Sequence, residues 1–198
     1  CHFDEIMEEY KITYPKFNEQ KENYKETRSF SLTATIPVVI HVVYNTAEQN
    51  ISADQIYSQI EVLNKDYRKQ NIDILGAPFV FNSFLQDTQI EFCLASIDPN
   101  GNSTSGIIRT ESSVESFSLQ TIDNVKSNFT GGSNPWPKND YLNIWVCELS
   151  GLLGMAYPPG IIDSLDGVVV DHNCFGTIGT SETPYNLGRT ATHEIGHW

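Results

Sequence analysis

The chain has 198 residues, a formal net charge of −13, and hydrophobic and aromatic contents of 39% and 11%. That length and apolar share suit one folded domain with a short appendage and a proper core. The charge argues against nucleic-acid or anionic-membrane partners, which need clustered Lys and Arg. No apolar run approaches the ~18 residues of a membrane span.

Residues 1–30 are rich in Lys, Glu, Asn and Tyr and read as a solvated arm. The chain opens on Cys1 with no preceding signal segment, which suggests a processed product or a fragment. An N-terminal cysteine could also carry the lipid of a bacterial lipoprotein. The cysteines (Cys1, Cys93, Cys147 and Cys174) lack CxxC spacing, so a structural zinc knuckle is not expected.

Residues 36–44 form a continuous β-branched apolar run, predicting a strand buried on both faces. His41 lies inside it and reads as a hydrogen-bonded core histidine. A helix follows: Ser52 is an N-cap, Gln55 completes a capping box, and Ile51 and Ile56 form a staple. Ile56, Ile60, Leu63 and Tyr67 mark its apolar face. Residues 90–97 predict a second strand, ended by a turn at Asp98–Gly101. Residues 102–138 read as loop plus a short helix near 118–128. Residues 141–149 predict a third strand, 152–157 a short edge strand before Pro158 and Pro159, and 166–171 a fifth. A Gly/Thr-rich loop then leads to Asn186, a candidate cap for the last helix. Strand, helix, four strands, helix is an α/β or α+β layer arrangement with a mostly parallel sheet.

The chemistry sits in that last helix, at His193-Glu194-Ile195-Gly196-His197. A His-Glu-x-x-His spacing puts both imidazoles on one helix face, about 6 Å apart along the axis. Both can reach one Zn²⁺ at roughly 2.0–2.1 Å. Glu194 then stands beside the metal, placed to take a proton from the water that attacks a peptide carbonyl. The alternative is a surface helix with solvated histidines. Ala191, Ile195 and Trp198 argue against it, because a largely buried helix gives such groups a need for partners.

Residues 184–198, with Asn186-Leu187-Gly188-Arg189-Thr190-Ala191-Thr192 ahead of the first histidine, resemble the zinc helix of the pappalysin family of metzincin metallopeptidases. The similarity runs through the strand series and covers roughly residues 30–198. It implies the upper subdomain of a metzincin: a twisted five-stranded, mostly parallel sheet with an antiparallel edge strand, a backing helix and the active-site helix. The edge strand at 152–157 would pair with an extended peptide substrate. Under this topology Cys93 and Cys147 flank the first strand and are expected to be reduced core residues, not a pair. The family's signature continues to a glycine and a third zinc ligand six residues beyond His197, past Trp198, followed by a methionine turn and a lower subdomain. This chain alone is therefore expected to bind zinc weakly and the full parent to be the active enzyme. The resemblance also implies that residues 1–30 are a pro-segment, with Cys1 as latency ligand (Asp4 as substitute) and an activating cut near Arg28-Ser29.

The function expected is thus a secreted zinc metalloendopeptidase acting on protein or peptide substrates, with His193 and His197 as metal ligands and Glu194 as general base. Lipid anchoring through Cys1 is the alternative location. Calcium, common in relatives, cannot be placed. Two other readings stand beside it: a non-catalytic binding or scaffold module derived from a metzincin, and a zinc peptidase of another clan with a distant glutamate ligand.

Overall fold

A computed structural model of the chain describes residues 33–159 and 164–198. The elements in chain order are β1 (Ala34–Tyr44), α1 (Ala53–Tyr67), β2 (Ile90–Leu94), β3 (Ile107–Glu111), β4 (Phe117–Ser118), β5 (Leu142–Cys147), β6 (Leu149–Ser150), β7 (Gly154–Tyr157), β8 (Gly167–Asp171) and α2 (Arg189–His197). The main sheet runs β2-β1-β5-β8-β7, parallel except for β7, which pairs antiparallel with β8. The expected five lanes and antiparallel edge strand are present.

The sheet has a sixth strand that the sequence did not reveal. β1 is 11 residues long, and β2 pairs only with its first half, from Ala34 to Val38. β3 takes up the second half, pairing Ile40 to Tyr44 on the same side. Gly106, at φ +71, makes the join: a Cβ there would lie 2.8 Å from the Ala95 nitrogen. The rest of the supposed loop-plus-helix region holds β4 and short 3-10 turns at Ile122–Lys126 and Asn128–Thr130, with no α-helix.

Both sheet faces are covered, which explains the near-continuous apolar runs. Val38, Ile40, Val42, Ile144 and Val168 pack with Ile56 and Leu63 of α1 and Ala191 and Ile195 of α2. Val43, Trp145, Val169, Met155 and Tyr157 pack with Phe117, Ile122 and Val125 on the other face. Each such fully buried side chain contributes on the order of 1.5–3 kcal/mol. His41 is fully buried on this second face, stacked on Trp145 and hydrogen-bonded to Ser133 Oγ (2.9 Å) and Asn143 Oδ1 (3.0 Å). It is the core histidine expected. Burial pulls its pKa down to about 4.

Three local expectations are corrected. Ser52 Oγ does accept from the Gln55 amide at 3.1 Å, but the Gln55 side chain does not reach back to close the box. It donates instead to the carbonyls of His172 and Phe175, because buried tertiary acceptors outcompete a solvated helix end. Gly188, in the left-handed region, is the N-cap of α2 with no side-chain cap, in place of Asn186. Cys93, Cys147 and Cys174 are free thiols; Cys147 is buried on β5 as expected, but Cys93 is exposed. β2 is an edge strand, so Phe92 turns into the core and its neighbour turns out. Cys1, Asp4 and the Arg28-Ser29 bond lie outside the described residues.

Candidate metal centre and cleft

Helix α2 arrives at the cleft through a loop clamped by two buried glutamines of α1. Gln55 Oε1 accepts from the Thr180 amide (3.0 Å), and Gln59 accepts from the Gly176 amide (2.6 Å) while donating to the Gly188 carbonyl (3.0 Å). The helix is then tied at both ends. Arg189, a cation in a first turn where the helix dipole disfavours it, pairs with Asp66 and with Asp73 (2.8 Å). Thr192 Oγ1 donates to Asp66 Oδ2 at 2.7 Å. At the other end, Trp198 Nε1 donates to Asp166 Oδ1 at 2.9 Å.

This frame turns the predicted site residues to two environments. His193 is exposed and His197 half-exposed, with their Nε2 atoms 3.0 Å apart. Two ligands of one tetrahedral Zn²⁺ at roughly 2.0–2.1 Å would stand about 3.3 Å apart, so the donor chemistry and spacing fit that ion. Glu194 points inward: it is 5% exposed, and its Oε2 is buried with no hydrogen-bond partner among the described residues. Burial pushes its pKa up to about 7. Among the described residues no group of three or more His, Cys, Asp or Glu side chains could hold a metal ion, so a third ligand is not found there.

His193 and Glu194 border a cleft of about 450 Å³, walled by Leu152, Met155, Tyr185 and Thr190. Strand β7 forms its rim, and among the described residues β7 pairs only with β8. The sequence singled out His193, Glu194 and His197 as candidates but not the supports from Gln55, Gln59, Arg189 and Asp166. Arg189 carried the one usable signal, a cation in the wrong turn of a helix.

Comparison with known proteins extends the picture. No family model matches the sequence. Among solved structures, mature mirolysin of Tannerella forsythia in complex with a cleaved peptide is 51% identical, with a TM-score of 0.81 over 85% of this chain and 64% of that one. A promirolysin variant from the same organism is 46% identical, with a TM-score of 0.89 over 100% of this chain and 66% of that one. The chain belongs to the mirolysin-like metallopeptidases. An extracellular metalloprotease of Arthroderma benhamiae is a more distant curated relative, 28% identical over 180 residues. The match takes in 87% of this chain and 54% of that protein, so the chain spans about half the length of such curated relatives. The mixed α/β architecture, with its parallel sheet, antiparallel edge strand and two helices, is that of a mirolysin-like metzincin. No helix among the described residues is long and apolar enough to cross a membrane.

Proposed function

We propose that the protein bearing this chain is a secreted, zinc-dependent metalloendopeptidase. The observation that carries the reading is the pair of imidazoles facing one point, 3.0 Å apart, beside a buried carboxylate at the wall of an open cleft. His193 and His197 would hold the ion, with the remaining protein ligand supplied from outside the described residues. Zinc, when bound, supplies Lewis acidity to the scissile carbonyl and to water. Glu194 takes the proton from the attacking water and passes it to the leaving amine. Its place at the wall of the cleft, next to His193, supports both steps. The outer edge of β7 aligns an extended peptide by adding a strand to the sheet. The complex of the relative with a cleaved peptide supports that class of substrate.

Residues 31–198 are then the upper part of a catalytic domain, and residues 1–30 a pro-segment. Two coverages support this: promirolysin matches 100% of the chain and mature mirolysin 85%, and the missing 15% of 198 residues is about 30 residues. Cys1 is the candidate latency ligand, and Arg28-Ser29 the candidate activating cut. The extracellular naming of the curated relatives supports secretion.

The test is metal content of the full-length protein beside His193→Ala and His197→Ala variants. One zinc per chain in the parent, lost in both variants, is expected. Undiminished zinc in either variant contradicts the assignment.

A further inference from the structure

We infer that Gly154 is a positioning residue for Glu194: the space left by its absent side chain is where the stem of the carboxylate lies. The functional part of this inference rests on the peptidase reading above. Gly154 opens β7 opposite Val170 of β8. It is not among the glycines with a positive φ, so its backbone would accept any residue. What excludes a side chain is contact. A Cβ at position 154 would stand 2.8 Å from Glu194 Cγ and 3.3 Å from Glu194 Cδ, with the Val169 carbonyl oxygen at 3.1 Å.

Val169 is held in the β8 ladder, so the group that must move is Glu194. Among the described residues its Oε2 has no hydrogen-bond partner to hold it in place. Packing of the stem against the bare α-carbon of Gly154 therefore sets where the carboxylate points. A methyl group there would press first on the stem and rotate the carboxylate out of its place, since the atoms nearest the added Cβ belong to Glu194 and Val169. The rim of the cleft thus holds the base as well as bordering the substrate channel.

The experiment is a cycle in the full-length protein with Gly154→Ala, Glu194→Ala and both together. Thermal unfolding is followed with the metal chelated, and zinc content and peptide hydrolysis with metal present. Gly154→Ala is expected to lower Tm by about 5 °C when Glu194 is present, and by much less in the Glu194→Ala background, where the clashing stem is gone. It is expected to lower kcat about 100-fold, leaving KM and zinc stoichiometry unchanged. Equal Tm losses in the two backgrounds, or a rise in KM with kcat intact, would overturn the inference. If Gly154→Ala alone does not fold, folding of the double variant supports the contact, and failure of both overturns it. A parent that hydrolyses no peptide, with non-additive Tm losses, would contradict the peptidase reading while upholding the contact.

Discussion

The indole Nε1 of Trp198 donates to Asp166 Oδ1 at 2.9 Å, joining the end of α2 to the residue before β8. Asp166 is 2% exposed, so its oxygen relies on a protein donor. Trp198→Phe keeps most of the ring packing and removes the donor. The expected cost is about 1–3 kcal/mol of unfolding free energy, read from urea denaturation. Zinc affinity should fall as well, because His197 sits on the turn that is loosened. Unchanged stability would show that this bond does not hold the helix end.

Arg189 pairs with Asp66, whose side chain is only 6% exposed. Arg189→Ala leaves that carboxylate buried without its cation, at a cost of roughly 3 kcal/mol. Asp66→Asn in the same chain should recover much of the loss, since the amide needs no counter-charge. A double-mutant cycle by denaturant unfolding checks this. Additive costs would mean the two residues act independently.

His41 gives a pH dependence with a definite sign. Its folded pKa is about 4, below its ordinary 6.5, because burial opposes the charged ring. Between those values the unfolded chain binds the proton and the folded chain does not. The His41 contribution is therefore full above pH 6.5 and is lost as pH falls toward 4, on the order of 3 kcal/mol in all. Urea midpoints across that window should fall less steeply for His41→Gln than for the parent. Parallel profiles would contradict the account.

Lys126 works in the alkaline range. It is 3% exposed, lies over the rings of Trp145 and Tyr157, and donates to the Leu165 carbonyl. Burial lowers its pKa from 10.5 to about 7, against the pull of Asp123 and Asp166. The unfolded chain holds that proton more tightly, so stability from this residue grows as pH rises through 7 toward 10. Lys126→Met should remove the rise in unfolding midpoint over that window. A rise of the same size in both proteins would assign it to other groups.

Much of this architecture could be read in advance because it is local or periodic. The runs that became β1, β5 and β8 are apolar but for His41, Asn143 and the last residue of β8, since helices cover one sheet face and the segment around Phe117 and Ile122 covers the other. The His-Glu-x-x-His spacing placed His193, Glu194 and His197 on one helix without any tertiary information. β3 escaped because only Ile107 and Ile108 are apolar, and its strand state depends on the unpaired second half of β1. Gln55 obeyed a helix-end rule in sequence, yet carbonyls more than a hundred residues away claimed its side chain. The same non-local competition put Gly188 at the start of α2, where Gln59 holds its carbonyl. Gly154 carried no signal at all, since its reason is the side chain of a residue forty positions away.

The most direct test of the central claim is hydrolysis of a peptide by the full-length protein and its Glu194→Gln variant, each carrying one zinc per chain. Loss of the general base predicts a fall in kcat of about 10²–10⁴-fold with zinc stoichiometry unchanged. Equal kcat in the two proteins would contradict the role assigned to Glu194 and, with it, the mechanism built on this helix.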